Sequence, residues 1–436
     1  MKITPARWQA FQILQRVEED GAFASVLLAT NAAELKPQDR ALCHELVLGV
    51  LRQRLWLDKL IEHYSGRTPD KIDTAALLSL RLGFYQLRFL ERVPESAAVN
   101  EAVNLMHAAK QGKAAGFVNA VLRRAVREPG VDPAAAVENP VEKLAVQTSH
   151  PVWLIKRWVW QFGLEETNAF AQANNLAPPS AFRLGRAGRD VLTELRDGGA
   201  TLTPAPLAPQ AWVMDKMTPL ARELAAEGWL YWQDEASQLV AHTLNAQAGE
   251  RVLDLCAAPG SKTTHIATRQ AQAQVVACDI HETRLRLIAE AGARQGLSNI
   301  ELRQLDATQR LPFAPESFDR VLVDAPCSGT GTLRRNPEIR WRITQTDLAE
   351  LATRQTAILR QAAKMVKTGG RLIYATCSIE RAENEDVIAA FAQAHTQFRP
   401  VTPDVPAHLH TSEGQARSWP QRDGADGFFI AVFEKN

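Results

Sequence analysis

The 436-residue sequence predicts a multidomain protein, in which an all-α helical bundle precedes a small α+β segment and an α/β domain with a doubly wound, mostly parallel sheet. Two observations predict this fold class. The first part carries apolar residues at helical spacing. From residue 250 onward, short β-favouring runs alternate with amphipathic helical segments. The expected parts are the bundle at 1–128, a linker at 129–140, the α+β segment at 141–235 and the α/β domain at 236–436.

Apolar periodicity predicts that the first part is helical. One face of its first segment is apolar: Trp8, Phe11, Leu14 and Val17. Its last segment, AAGFVNAVLRRAVRE, combines an apolar side with a polar side. Three arginines lie toward that polar side: Arg123, Arg124 and Arg127. These arginines form a local basic patch that could face a polyanion.

The stretch REPGVDPAAAVENP is rich in Pro and Gly and interrupts the helical pattern, which predicts the linker. After it, WLIKRWVWQFG is predicted to be a helix. The runs SAFRLG, DVLTELRDGG and TLTPAPL then predict a small β-α-β unit.

The α/β domain is predicted from a longer alternation. Its expected strands are RVLDLCA, QVVACDI, NIELRQLD, FDRVLVDAP, RLIYATC and GFFIAVFEK. The segment TDLAELATRQTAILRQAAKMVKTGG has one apolar helical face and a glycine stop. Ligands of open α/β sheets bind at the carboxyl ends of the strands, so the functional residues are expected there.

Composition excludes several classes of protein. The net charge of +1 shows no chain-wide attraction to a polyanion, so any nucleic-acid site must be a local patch. Five cysteines without a CxxC pair argue against a disulfide framework or a zinc site. No apolar run reaches the length of a membrane span, and the N-terminus lacks the apolar core of a signal peptide. We therefore expect a cytoplasmic protein with no membrane partner.

Three acidic residues follow successive predicted strands: Asp254, Asp279 and Asp306. An acid at the end of the second strand typically binds ribose hydroxyls, and the Pro-Gly turn after the first strand lets the backbone approach a ligand. The sequence lacks GxGxxG and a Walker lysine motif, which argues against a dinucleotide or a triphosphate. This layout predicts a nucleoside cofactor and no metal ion.

Two of the five cysteines sit just past strand ends. Cys327 lies in DAPCSG and Cys377 in ATCSIE, both in polar turn sequence at the expected ligand face. Isolated cysteines are usually inert packing residues, and this is the interpretation for Cys43, Cys256 and Cys278. For Cys327 and Cys377, a chemistry that uses two thiols is the sharper hypothesis.

The motifs CAAPGSKT, DAPCSGTG and ATCSIERAENEDVI, in this order, resemble the cytosine-5 RNA methyltransferases that use S-adenosylmethionine. The N-terminal region, with VPESAAVNEAVNLMHAAKQGKAAGFVNAVLRR, is similar to the all-helical, RNA-binding NusB domain. A NusB-like domain before a Rossmann-like methyltransferase domain resembles the bacterial 16S ribosomal RNA enzymes of this class. The resemblance then spans nearly the whole chain.

The resemblance implies a role for each matching residue. Cys377 is the nucleophile that attacks C6 of cytosine, Cys327 assists release of the methylated product, and Asp324 contacts the cytosine edge. S-adenosyl-L-methionine would be held by these residues: Cys256, Ala257, Ala258, Pro259, Gly260, Ser261, Lys262, Asp279, Asp306 and Asp324. The implied substrate is 16S ribosomal RNA, at cytosine 967, and the protein is expected to be a monomer.

Three points stay open in the sequence. The family usually has a second glycine where this chain has Ser261, which would strain the loop at positive φ or donate its hydroxyl to the ligand. Lys262 is either a pocket lysine or a solvated residue at a helix start. A basic run after Cys327 either contacts RNA beside the catalytic turn or forms a solvated helix face. Its members are Arg334, Arg335, Arg340, Trp341 and Arg342.

Other functions remain compatible with these motifs. A DNA cytosine-5 methyltransferase would use the Pro-Cys thiol, Cys327, as its nucleophile and would not need Cys377. A transfer-RNA methyltransferase would share every catalytic residue. A non-catalytic NusB-like RNA-binding or antitermination factor predicts a broken motif, whereas both cysteines, Asp324 and the cofactor acids are present. The NusB-like domain favours ribosomal RNA by analogy.

Overall fold

The computed structural model describes residues 3–436 and forms two compact units. The first unit comprises the chain up to Leu176 together with Leu333–Arg342, and the second comprises Ala177–Thr332 and Ile343–Asn436. The first two residues of the predicted 1–128 bundle lie outside the described residues. The four parts predicted from the sequence, at 1–128, 129–140, 141–235 and 236–436, stay a prediction.

The first unit is helical, as predicted. Its helices are α1 (Pro5–Glu19), α2 (Ala24–Asn31), α3 (Pro37–Arg52), α4 (Arg54–Ser65), α5 (Thr74–Phe89), α6 (Glu95–Ala108), α7 (Ala115–Arg127), α8 (Pro140–Thr148), α9 (Val152–Phe162) and α10 (Leu164–Ala173). Proline occupies the first turn of α1 and α3, where no backbone N–H is needed. Phe11, Leu14, Leu46 and Leu122 are buried in one apolar core.

Helix α7 has the two faces that its sequence predicts. Val118, Val121 and Leu122 are buried, whereas the three arginines on the other face, Arg123, Arg124 and Arg127, are exposed. The segment between α7 and α8 contains no helix or strand within residues 129–139, where the linker is predicted.

The second unit begins with a small α+β part. It contains β1 (Ser180–Leu184), α11 (Val191–Asp197), β2 (Leu202–Pro204), β3 (Trp212–Met214), α12 (Pro219–Ala226) and β4 (Leu230–Trp232). The strands form an antiparallel sheet in the order β2-β3-β1-β4. The predicted β-α-β unit corresponds to β1, α11 and β2, and Phe182 and Leu195 are buried in its core.

The remainder of the second unit is the predicted α/β domain. In chain order it contains α13 (Glu235–Leu244), β5 (Arg251–Asp254), α14 (Ser261–Arg269), β6 (Gln274–Asp279), α15 (Glu282–Arg294), β7 (Ile300–Gln304), β8 (Phe318–Asp324), α16 (Ile339–Arg342), α17 (Gln345–Met365), β9 (Val366–Thr376), α18 (Glu385–Ala394), β10 (Phe398–Val401), β11 (Ala416–Arg417), α19 (Pro420–Asp423) and β12 (Phe429–Lys435). Helix α16 is the exception, because it belongs to the first unit.

The large sheet has the order β10-β12-β9-β8-β5-β6-β7, and β11 pairs with β12. Strands β9, β8, β5, β6 and β7 are parallel. At one end of the sheet, β12 pairs antiparallel with β9, and β10 pairs antiparallel with β12. Two apolar layers cover its two faces. The strand order reverses between β5 and β8, so a crevice opens at their carboxyl ends.

Within residues 3–436, no helix combines the length and the apolar character needed to cross a bilayer.

The buried members of the basic run after Cys327 fit neither interpretation offered by the sequence. Arg334 and Arg340 are 4% and 0% exposed, so these two arginines belong neither to a solvated helix face nor to an open RNA contact, whereas Arg335, Trp341 and Arg342 are half-buried. Polar groups of the run form hydrogen bonds within the first unit: Trp341 Nε1 donates to the Leu51 carbonyl at 2.8 Å, and Arg342 donates to the Ala22 carbonyl. Leu333–Arg342 is therefore an internal part of the helical unit.

Arg340 is held by neutral acceptors. Its guanidinium donates to the carbonyls of Ser149 at 3.1 Å and Asn174 at 3.2 Å, and to Asn175 Oδ1 at 2.9 Å. Burial lowers the pKa of Arg340 to about 9. The sequence cannot distinguish such a residue from an exposed arginine, because the partners lie far away along the chain.

We predict that Arg340→Ala lowers the free energy of unfolding by about 3 kcal/mol, because it leaves buried carbonyls without donors. Urea unfolding followed by fluorescence measures this change. Arg123→Ala, at an exposed position of α7, is the control and should change stability by less than about 0.5 kcal/mol. Unchanged stability with weakened RNA binding in Arg340→Ala would restore the RNA-contact interpretation.

Candidate active site

A cavity of about 610 Å³ opens at the carboxyl ends of the parallel strands in the second unit. Its volume lies within the range of small-molecule sites in proteins, roughly 300–1,000 Å³. Its lining includes these charged or thiol-bearing residues: Cys256, Lys262, Asp279, Arg284, Asp306, Asp324, Cys327, Arg354 and Cys377. Residues from the ends of β6, β8 and β9 and from the loop after β5 thus converge on one space.

The loop between β5 and α14 takes the shape of a tight turn around Gly260. Gly260 has φ of 102°, and an added Cβ would come within 3.2 Å of Ile288. A side chain is thus excluded there both by the backbone and by α15. Ser261 begins α14 with helical backbone, so the serine in the family's second glycine position causes no strain. The alternative role of its hydroxyl, donation to the ligand, stays a prediction.

Only part of the predicted cofactor loop lines the cavity. Cys256, Ala258 and Lys262 do so, whereas Ala257, Pro259, Gly260 and Ser261 shape the turn behind them. Cys256 is half-buried in this lining, which corrects its interpretation as inert packing. Cys43 and Cys278 are fully buried, as that interpretation predicts.

The strand-end acids divide into two groups. Asp279 and Asp306 line the cavity. Asp254 does not: it is fully buried, and its Oδ2 accepts a hydrogen bond from the Thr263 hydroxyl at 2.7 Å. Burial raises the pKa of Asp254 to about 7. Asp254 thus holds the start of α14 rather than a ligand, which corrects its grouping with the other two.

Lys262 is a pocket lysine, and its interpretation as a solvated residue is wrong. Its side chain is buried, and its Nζ lies 2.8 Å from Asp324 Oδ2 and 5.0 Å from the centroid of the Phe428 ring. Burial alone would lower the pKa of Lys262, but Asp324, with smaller contributions from Cys377 and Asp254, outweighs it, so the pKa is raised. A charged donor and a carboxylate therefore stand together at the cavity wall.

The two cysteines that follow strand ends meet in this cavity. Cys327 Sγ and Cys377 Sγ are 3.4 Å apart, because β8 and β9 pair in parallel with Asp324 opposite Ala375. The hydrogen bond with Cys377 and burial raise the pKa of Cys327 well above its ordinary value. Both thiols lie at the ligand face, where the sequence predicts them, and their sulfur atoms are in contact.

Some cavity residues were not predicted. Arg284 lies 3.5 Å from Asp279 Oδ2 and donates to the Ala258 carbonyl at 3.0 Å, so it links the second acid to the cofactor loop. Ile280 is 50% exposed although it is apolar, and it directly follows Asp279. The position of Ile280 directly after the acidic strand end was the feature of the sequence that could have predicted its place in the cavity. Arg354 projects from α17, and its sequence context gave no signal.

The lining suits a nucleoside cofactor and a planar base. Carboxylates at the ends of β6 and β7 can accept from ribose hydroxyls, and Ile280 offers an apolar surface. Within residues 3–436, no group of three or more His, Cys, Asp or Glu side chains is arranged to hold a metal ion. The Lys262–Asp324 pair and the two thiols occupy the other part of the lining, where they can act on a substrate ring.

Three family models match the chain. The model described as 16S rRNA methyltransferase RsmB/F matches residues 241–434, and the NusB family model matches residues 4–127. A third model, the Methyltr_RsmF/B-like ferredoxin-like domain, matches residues 150–221.

Named relatives and a solved structure resemble the chain over its length. It is 37% identical to the probable ribosomal RNA small subunit methyltransferase B of Bacillus subtilis (strain 168), with 100% of both chains covered. It is 37% identical to ribosomal RNA small subunit methyltransferase B of Klebsiella pneumoniae subsp. pneumoniae, with 98% of this chain and 97% of that protein covered. The solved structure titled "Crystal Structure of PH0851" has a TM-score of 0.87 at 27% identity, with 100% of both chains covered.

We predict that Asp279→Ala weakens binding of S-adenosylmethionine by about 1–3 kcal/mol, because a bound ribose would lose a buried acceptor. Isothermal titration calorimetry measures the dissociation constant. Asp319→Ala is the matched control, since Asp319 pairs with Lys367 at 2.7 Å and does not line the cavity. Equal affinity in parent and Asp279→Ala would exclude Asp279 as a cofactor ligand.

Proposed function

Because the chain belongs to the family of ribosomal RNA small subunit methyltransferases B, we propose that it methylates C5 of a specific cytosine of 16S ribosomal RNA, cytosine 967, through a covalent intermediate. The chain is an RNA methyltransferase that uses S-adenosylmethionine. The observation that carries the finer proposal is the 3.4 Å contact between Cys327 and Cys377, beside the Lys262–Asp324 pair in one cavity. A monomeric state and a cytoplasmic location stay predictions.

The proposed chemistry begins with a thiolate. C5 of cytosine is a poor nucleophile, so the Cys377 thiolate adds to C6 and forms an S–C6 bond, which turns the ring into an enamine-like species. The Asp324 carboxylate contacts the cytosine edge, and Lys262 at 2.8 Å from Asp324 offers a proton to that edge as N3 gains electron density. Bound S-adenosylmethionine supplies the electrophilic methyl group for C5.

The second half of the proposed reaction releases the product. The C5 proton passes to a base, its electron pair re-forms the C5–C6 double bond, and the S–C6 bond breaks with its electrons returning to Cys377. Cys327 is the group that we assign to this step. Its sulfur touches that of Cys377, so its S–H can pass its proton to the departing Cys377 sulfur, and the Cys327 thiolate left behind accepts the C5 proton.

The helical unit is proposed to add RNA affinity rather than chemistry. Its support is the exposed face of Arg123, Arg124 and Arg127 on α7, together with the NusB family match. Phosphate contacts from such a face add binding free energy that falls as salt increases.

We predict that replacing Arg123, Arg124 and Arg127 together by Gln flattens the salt dependence of RNA binding. The slope of log K against log salt should fall by roughly 0.7 for each arginine that contacts a phosphate of a single strand. Fluorescence anisotropy at several salt concentrations measures the slope. Arg16→Gln, at an exposed position of α1, should keep the parent slope. A triple variant with the parent slope and affinity would count against this face.

We predict that the two cysteine variants fail at different steps. Cys377→Ala should form no covalent bond to RNA and no 5-methylcytosine, because the attacking sulfur is missing. Cys327→Ala should attack and accept the methyl group, then stall before elimination and remain joined to the RNA. A short RNA with the target cytosine, S-adenosylmethionine and a denaturing gel reveal the adduct.

Each alternative role of the two cysteines predicts a different pattern of RNA adducts on the gel. A DNA-type mechanism predicts an adduct in Cys377→Ala and none in Cys327→Ala. Inert packing predicts an adduct in neither variant. Cys43→Ala is the control for loss of a buried thiol, and it should turn over like the parent protein. Mapping 5-methylcytosine in ribosomal RNA from cells with and without the protein tests the position of the target.

A further inference from the structure

We propose that Glu383 is a positioning residue for the methyl-transfer reaction, because its carboxylate fastens the Cys327 turn to the Cys377 turn. This inference rests on the proposed function for its meaning in catalysis. Glu383 is fully buried, in a short 3₁₀ turn (Arg381–Glu383) before α18, and it does not line the cavity. It therefore acts through its neighbours and not by contact with the substrate.

The carboxylate of Glu383 accepts hydrogen bonds from both cysteine turns. Ser328, directly after Cys327, donates its backbone N–H to Oε1 at 2.9 Å and its hydroxyl to Oε2. Ser378, directly after Cys377, donates its hydroxyl to the same Oε2 at 2.5 Å. The two turns are therefore connected through one carboxylate, while their sulfurs are 3.4 Å apart.

A third donor fixes the carboxylate against α17. Gln355 Nε2 donates to Glu383 Oε1 at 2.9 Å and to the Pro326 carbonyl at 3.0 Å, just before Cys327. The Tyr374 hydroxyl also donates to the backbone carbonyl of Glu383 at 2.6 Å. Both ends of the connection are thus tied to the sheet and to a helix, so the carboxylate has a fixed position.

Few side chains could replace this arrangement. A carboxylate offers two oxygens that together accept about four hydrogen bonds, which matches the four donors from Ser328, Ser378 and Gln355. A hydroxyl offers one oxygen, and an apolar side chain would leave buried donors unpaired. Burial raises the pKa of Glu383.

The connection has a catalytic consequence because the two thiols must act on one ring in sequence. Attack at C6 and removal of the C5 proton involve adjacent atoms, so the sulfurs have to keep their separation through the reaction. A displacement of about 1 Å at a reacting group can cost about 10²-fold in rate. Loss of the carboxylate frees both turns to move apart, whereas it leaves the cofactor acids Asp279 and Asp306 in place.

The test compares Glu383→Ala with Glu383→Gln. Glutamine has the same shape: its Oε1 can accept from the two N–H donors, and its amide nitrogen can donate to the hydroxyl oxygens of Ser328 and Ser378. We expect Glu383→Ala to lower kcat about 10²-fold with KM for RNA unchanged, and Glu383→Gln to restore most of the loss. Glu250→Ala is the control, since Glu250 also accepts several hydrogen bonds but stands at the opposite end of the sheet, with Arg320.

A second measurement follows the attack step alone. In the Cys327→Ala background, where adduct accumulates, adding Glu383→Ala should slow adduct formation in a single turnover and adding Glu383→Gln should not. If Glu383→Ala does not fold, Ser378→Ala removes a single donor and should lower kcat by about tenfold without a change in KM. A purely structural role predicts loss of stability with an unchanged kcat in every folded variant, and this result overturns the proposal.

A third measurement needs no RNA and separates this proposal from the proposed function. Diamide oxidises two adjacent thiols to a disulfide, so the rate of Cys327–Cys377 closure reports whether the turns are held together. Closure should be slower in Glu383→Ala than in the parent and near the parent rate in Glu383→Gln. Equal closure rates in all three proteins overturn the connection, whatever the RNA assay gives. Normal closure behaviour with no RNA methylation by the parent protein overturns the proposed function instead, and the catalytic role of Glu383 with it.

Discussion

The parallel pairing of β8 with β9 is the constraint on which the rest of the site depends. Asp324 lies opposite Ala375 in this pairing, so the turns after both strands leave the sheet at one edge. Cys327 and Cys377 lie in these turns and touch at 3.4 Å. A register shift by one residue would send one side chain to the other face of the sheet, and the two thiols could no longer meet.

Two arrangements of charged side chains lie near this edge of the sheet: an ion pair at the cavity wall and a buried carboxylate behind the thiols. Where substrate would bind, Lys262 and Asp324 form an ion pair at the cavity wall, so a proton donor and an acceptor stand within reach of the same ligand edge. Behind the thiols, Glu383 accepts hydrogen bonds from the neutral donors of Ser328, Gln355 and Ser378. The Lys262–Asp324 pair allows a proton to move, whereas the hydrogen bonds to Glu383 fix the positions of the two cysteine turns. Both depend on burial, since water would weaken each interaction.

The sequence predicted the elements and the faces but not the long-range partners. Alternating apolar runs located β5, β6, β8 and β9, and the polar turns after β8 and β9 located Cys327 and Cys377. The position of Lys262 beside Asp324 stayed open, because a lysine at a helix start has the same sequence signature whether it is buried or solvated.

The sequence predictions that the structure corrects have the same origin, which is the missing information on long-range partners. The arginines near α16 carried the signature of a solvated or RNA-binding face, yet Arg340 donates to carbonyls of Ser149 and Asn174, far away along the chain. Asp254 shared the strand-end position of Asp279 but faces Thr263 rather than the cavity. Local patterns state which residues are polar, whereas the partner of a polar group depends on which elements pack against it. Glu383 lies within the motif ATCSIERAENEDVI, but its hydrogen-bond partners depend on this packing. The sequence therefore gave no indication of its role.

The surroundings of Cys327 are consistent with the proposal that Cys377, and not Cys327, attacks the ring. The bond with Cys377, burial and the nearby Glu383 carboxylate together raise the pKa of Cys327, and only the Gly329 N–H opposes them. A thiol with a raised pKa stays protonated at neutral pH and is a poor nucleophile, but its S–H can donate to the neighbouring sulfur. A DNA-type mechanism would require this protonated thiol to attack first. The proposed order uses Cys327 only at the release step, where its S–H lies 3.4 Å from the sulfur that must leave C6 and can donate its proton to that sulfur.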